Sequence, residues 1–173
     1  MNGDAWVFGA VGLLAAGSLV GRRGSRFIRR QGVSFPDLDT YFAFDRAVEA
    51  LYGDVAWWVY RGSHKDTLFR HYRELDDIER AALDLANAAV LGTEPLTLYR
   101  RMRGSQRQGL AGASLTDDPD LFDNAVSFQI RPDQVLACYR TPGFDRAFGG
   151  KTYGHEREYI LKPDVQIEGG DAR

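Results

Sequence analysis

Three stretches of this 173-residue sequence carry side chains that could do chemistry together. The last is Glu156-Arg157-Glu158-Tyr159-Ile160-Leu161, two carboxylates around an arginine at the entry to an apolar strand. On a strand, residues two apart point to the same side. Glu156 and Glu158 are therefore expected side by side. Paired carboxylates can divide acid–base and charge work between them. They can also simply charge an edge strand against unwanted pairing. The first stretch, Leu96 to Gly104, is strand-like and carries Tyr99 and Arg100. Its guanidinium is always charged, and the planar fork suits phosphate groups. The middle stretch, Gly112 to Asn124, sets Ser114 and Thr116 before an acidic run with Pro119. Taken alone it reads as a capped turn into a short helix at Asp120 to Phe122.

Several familiar chemistries have no motif here. No GxxxxGK[ST] loop and no helix-opening GxGxxG is present. His64, His71 and His155 have no metal-ligand spacing with Cys138, and no metal is implied. His64 and His71 read as surface residues. Cys138 is the single cysteine, so no internal disulfide framework exists. It lies in the apolar run Val135 to Tyr139 and reads as a small buried residue. A net charge of -2 gives no steering toward nucleic acid.

The elements that must position these residues follow from periodicity. A connector is expected over 31–38, with Asp37 or Asp39 capping the helix that follows. Helical spacing runs from Tyr41 to about Tyr60, interrupted at Gly53 and Asp54. A further helix is marked by Leu75, Ile78, Ala81, Ala82, Leu85 and Ala89, closed by Gly92. After Gly92 the period changes to that of strands: Pro95 to Arg100, Ala125 to Ile130, Gln134 to Tyr139, Glu158 to Leu161 and Val165 to Ile167. The fold class is α+β, with a helical N-terminal half packed on a mixed or antiparallel sheet. With 173 residues and 44% hydrophobic content, the chain can bury one sizeable core.

Residues 1–31 stand apart. Ala5 to Val20 carries no charge, and five arginines follow between Arg22 and Arg30. The length is marginal for a membrane span. The segment reads equally as a membrane anchor or as a glycine-rich piece packed on a protein surface.

Taken in order, "LTLYRRMRG", "GASLTDDPDLFDN" and "EREYIL" resemble the mono-ADP-ribosyltransferase family of the arginine-serine-glutamate type. Ser114 stands 44 residues before Glu158. The resemblance covers residues 36–168. It implies an NAD-binding core with NAD as substrate, and transfer of ADP-ribose to a target protein, arginine being favoured by the Glu-x-Glu pair. Within it, Arg100 resembles the arginine that grips NAD, with Tyr99 before it. Ser114 and Thr116 resemble the Ser-Thr-Ser strand supporting the pocket. Glu158 resembles the catalytic glutamate. Glu156 resembles the glutamate that readies the attacking nucleophile, and Tyr153 resembles a loop aromatic that contacts substrate. A second Tyr-Arg pair, Tyr60-Arg61-Gly62, matches the dipeptide but leads into helix; Arg100 leads into the sheet and is preferred. The small size and apolar N-terminus fit a secreted or membrane-associated toxin or effector module. Two alternatives stay open: an NAD glycohydrolase or degenerate NAD-binding relative, and a non-catalytic, membrane-anchored helical interaction module.

Overall fold

A computed structural model of the chain describes residues 28–61, 65–101, 114–149, 157–165 and 171–172. Ile28–Arg30 (β1) and Val33–Phe35 (β2) form an antiparallel hairpin. Its two turn residues, Gln31 and Gly32, both have positive φ, at 46° and 87°, the backbone that a tight primed hairpin turn requires. Val33 and Phe35 are wholly buried. Three of the eight residues of the expected connector over 31–38 thus form a folded strand. The end of the basic run belongs to the same body, since Arg30 forms an ion pair with Asp45 of the first helix.

Leu38–Arg61 is one unbroken helix (α1), followed by Lys65–Glu74 (α2) and Asp77–Leu91 (α3). Asp37 caps α1, accepting from the Thr40 amide at 2.7 Å; that bond holds its carboxyl below the ordinary value. The expected break at Gly53-Asp54 does not occur. A mid-helix glycine costs only about 1 kcal/mol relative to alanine. Burial of Ala47, Leu51, Val55 and Trp58 along the same helix outweighs it. Asp54 is held rather than helix-breaking: its Oδ2 lies 2.6 Å from Nδ1 of His71 on α2. His71 is therefore half-buried and paired, not a free surface residue.

α3 opens with a reciprocal capping box. The Glu79 amide donates to Asp76 Oδ1 at 2.7 Å, and the Asp76 amide to Glu79 Oε2 at 3.1 Å. Gly92, at φ 83°, closes it by donating to the Ala88 carbonyl at 2.9 Å. The buried stripe is Ala82, Leu83, Ala86, Asn87 and Leu91. Ile78 is 61% exposed, and Ala81 and Ala89 also face outward. The inner face is turned from the apolar pattern because it includes a polar residue, Asn87. That side chain donates from Nδ2 to the carbonyls of Val135 (2.9 Å) and Leu136 (3.1 Å), and its Oδ1 accepts from the Thr141 hydroxyl at 2.7 Å.

The rest of the chain builds an antiparallel sheet: Leu96–Arg101 (β3), Ser114–Thr116 (β4), Ala125–Ile130 (β5), Val135–Cys138 (β6), Glu158–Leu161 (β7) and Asp171–Ala172 (β8). A four-residue helix, Asp145–Phe148 (α4), lies between β6 and β7 in sequence and packs on α1. The strand order is β6-β7-β4-β3-β5-β8. The observed class is α+β with an antiparallel sheet. Alternation divides the apolar residues of the sheet. Ile160, Leu136 and Ala137 join the helices and the hairpin in one core. Leu98, Leu115, Phe128, Ile130, Tyr159 and Leu161 form a second core on the opposite face. Cys138 lies in that second core, fully buried. Burial pushes its thiol pKa up, which keeps it a protonated packing residue.

Candidate functional site

The sheet order sets the strands of Ser114 and Glu158 side by side. β4 and β7 pair with Ser114 opposite Ile160 and Thr116 opposite Glu158. Directly opposed residues of antiparallel strands share a face, so Ser114, Thr116, Glu158 and Ile160 all lie on the helix-facing side. The Ser114 hydroxyl donates to Glu158 Oε1. A second donor reaches the same oxygen from α1: the indole Nε1–H of Trp58, at 3.0 Å. Two residues distant in sequence thus aim hydrogen at one carboxylate oxygen. Such bonds fix its direction. Trp58 is 9% exposed, while Ser114 and Glu158 are half-buried. The carboxylate therefore stands at the edge of the core, anchored on the inside and reachable from outside.

Sequence reasoning missed Trp58. The signal was available in the Trp57-Trp58 pair of the helix: a tryptophan placed in the core must find an acceptor for its N–H.

Arg100 is not brought to this carboxylate. Tyr99 opposes Thr116 and Ser127 and shares their face. Arg100, one residue on, opposes Val126 and alternates to the side of Leu98, Leu115 and Phe128. Burial pulls its guanidinium pKa below the ordinary value. The expected convergence of Arg100 with Ser114 and Glu158 fails for a simple reason: a strand reverses its side chains at every residue. Arg61, the second candidate, closes α1 one helical turn beyond Trp58. Tyr99 and Thr116 are on the helix-facing side but are 8% and 2% exposed. The Thr116 hydroxyl accepts from the Asp118 amide at 3.1 Å, so it serves the turn after β4.

The side-by-side expectation for Glu156 and Glu158 rests on strand alternation. β7 begins at Glu158, and Arg157 before it has a left-handed backbone, φ 44°. Strand alternation therefore does not run back through Arg157, and the side-by-side argument for Glu156 does not apply. Glu156 and Tyr153 lie outside the described residues.

Behind the carboxylate, on the opposite face, Asp117 gathers a polar cluster. Its Oδ2 accepts from the hydroxyls of Tyr139 (2.9 Å) and Tyr159 (3.0 Å) and from Arg140 Nη2 (3.2 Å). Its Oδ1 lies 3.0 Å from Arg157 Nε. Burial drives the Tyr159 phenol pKa far above its ordinary value, and the charges nearby, Asp117 among them, add to the rise. Tyr159 therefore remains a hydrogen donor.

A separate groove of about 370 Å³ runs along α1, lined by Tyr52, Ala56, Trp57, Tyr60 and Arg146 among others. Neither Ser114 nor Glu158 lines it. Among the described residues, no cluster of three His, Cys, Asp or Glu side chains could hold a metal ion, and no helix is long and apolar enough to cross a membrane. No family model matches the chain, and neither a curated protein nor a solved structure does.

Proposed function

We propose that this chain is an NAD-dependent mono-ADP-ribosyltransferase acting through Glu158. One observation carries the reading: Glu158, at the start of β7, accepts from Ser114 of the neighbouring strand and from Trp58 of α1. In the reaction, the bond between the nicotinamide nitrogen and the ribose carbon breaks. Nicotinamide leaves neutral, and positive charge develops on the ribose. A carboxylate fixed beforehand and aimed at that charge lowers the barrier without reorganising. Ser114 and Trp58 perform that fixing, since each holds the same oxygen. The acceptor nucleophile then attacks the ribose carbon, and its proton passes to solvent. For a protein acceptor, an arginine side chain is the favoured class. The resemblance lends this reading support from residue types and order. The faces of the sheet support Ser114 and Glu158 as the pair, and they do not support Arg100 as the NAD-gripping cation.

A second reading, simple hydrolysis of NAD, is favoured by the backbone at Arg157. Its left-handed φ ends the alternation that would set Glu156 beside Glu158. In this reading water is the acceptor.

The test follows nicotinamide release from NAD, with and without protein acceptors, in wild type, Glu158→Gln, Arg61→Ala and Arg100→Ala. The reading expects loss of release in Glu158→Gln and a larger rise in NAD KM for Arg61→Ala than for Arg100→Ala. Release without labelled protein supports the hydrolase. Release equal in wild type and Glu158→Gln overturns both readings.

A further inference from the structure

We infer that Asp117 is a positioning residue for Glu158, acting through Arg157. Arg157 immediately precedes Glu158 and is one of three non-glycine described residues with positive φ. A left-handed backbone is unfavourable for a residue with a side chain, and such conformations persist where the surroundings hold them. Here the holding groups are visible. Arg157 Nε sits 3.0 Å from Asp117 Oδ1, and Nη2 sits 3.3 Å from Asp118 Oδ2. The other oxygen of Asp117 is tied by Tyr139, Tyr159 and Arg140. The two tyrosine rings meet edge to face, with centroids 5.8 Å apart. The acceptor is therefore rigid, and it grips the residue next to Glu158 from the far side of the sheet. Arg157 is held on the side of Asp117, and its left-handed turn sets the start of β7 at Glu158, whose carboxylate meets Ser114 and Trp58.

The clamp is also local in sequence. Asp117 follows Thr116, the residue that opposes Glu158 across β4 and β7. One turn of chain thus fixes both the register of the strand and the direction of the carboxylate. This account holds for whatever reaction Glu158 performs, and its decisive readout needs no NAD. Its failure and the failure of the ADP-ribosyl reading are separate results.

The indole proton of Trp58 reports the geometry directly, because it is donated to Glu158. The experiment records proton–nitrogen spectra of the full chain, in which the three tryptophans give three indole signals. Trp58→Phe assigns the signal, and Glu158→Gln gives the shift expected when the charged acceptor is lost. Asp117→Asn and Asp117→Ala are then compared with Tyr139→Phe, which removes one hydroxyl and leaves the arginine clamp. The inference expects both Asp117 variants to move the Trp58 signal at least half as far as Glu158→Gln does. It expects faster exchange of that proton with water, the other two indole signals unmoved, and Tyr139→Phe close to wild type. Where nicotinamide release is measurable, Asp117→Asn lowers kcat on the order of 100-fold with KM for NAD within about twofold. Arg157→Ala removes the same clamp at an exposed position and decides the matter if the Asp117 variants do not fold. A Trp58 signal at its wild-type position and exchange rate in folded Asp117→Asn or Arg157→Ala overturns the inference.

Discussion

Replacing Asn87 tests how the helical half is locked to the sheet. The side chain is completely buried. It makes three hydrogen bonds across the helix–sheet boundary, two donated to consecutive carbonyls of β6 and one accepted from Thr141. Those carbonyls flank the irregular register between Val135 and Ala137, where β6 departs from a plain ladder against β7. A buried partner left without its bond costs about 1–3 kcal/mol. Three such losses, reduced by relaxation and by carbonyls that keep other partners, come to about 3–6 kcal/mol. For a chain of this size 1 kcal/mol corresponds to roughly 2–4 °C, so Asn87→Ala should melt on the order of 10–20 °C below wild type. The informative variant is Asn87→Leu. It keeps the volume and adds apolar contact but supplies no polar atom. Urea and thermal unfolding of both variants separate the two contributions. Hydrogen bonding as the cause requires Asn87→Leu to fall within about 1–2 kcal/mol of Asn87→Ala. Asn87→Leu as stable as wild type would refute the reasoning, since packing volume alone would then explain the site.

Two further outcomes follow from backbone and charge. Gly143 has φ 85°, and an added Cβ would lie 2.7 Å from Val48 Cγ1; Gly143→Ala should cost about 2–3 kcal/mol, with Val48→Ala recovering only the clash, as read by urea denaturation. Burial raises the Asp84 carboxyl pKa above its ordinary 3.8, with Lys162 partly offsetting the rise. A raised folded pKa means that the native state takes up the proton more readily than the unfolded chain. The resulting stability is fully present below the unfolded pKa and is lost as pH rises through the folded one. Wild type should thus gain stability relative to Asp84→Asn as the pH falls toward 3.8, measured by urea unfolding across an acid pH series; a relative loss on acidification would contradict it.

The parts of the fold legible in the sequence were those governed by one local rule. The capping box and Gly92 mark α3 because a cap needs particular residues at fixed offsets. β3, β5, β6 and β7 follow from alternation and apolar runs. Local rules failed wherever a distant partner reversed them. Gly53-Asp54 reads as a helix break until His71 supplies a partner. The apolar pattern of α3 leaves out Asn87, which is buried because β6 presents two carbonyls to it. The site divides the same way. Residue order singled out Ser114 and Glu158 as candidates, and strand pairing brings them together. It assigned Arg100 from a dipeptide, but which face that residue takes depends on register, and a register is set between strands. Trp58 and Asp117 act across 100 and 42 positions of sequence, to Glu158 and Tyr159 respectively, and no spacing rule reaches that far.

The central claim is that Glu158, held by Ser114 and Trp58, stabilises the ribosyl cation as nicotinamide departs. Its most direct measurement is nicotinamide released from NAD by the purified chain, beside Glu158→Gln under the same conditions. A loss on the order of 100-fold or more in kcat is predicted, as for removal of one preorganised charge-stabilising group, with the variant still folded. Equal release from folded wild type and folded Glu158→Gln would contradict the account.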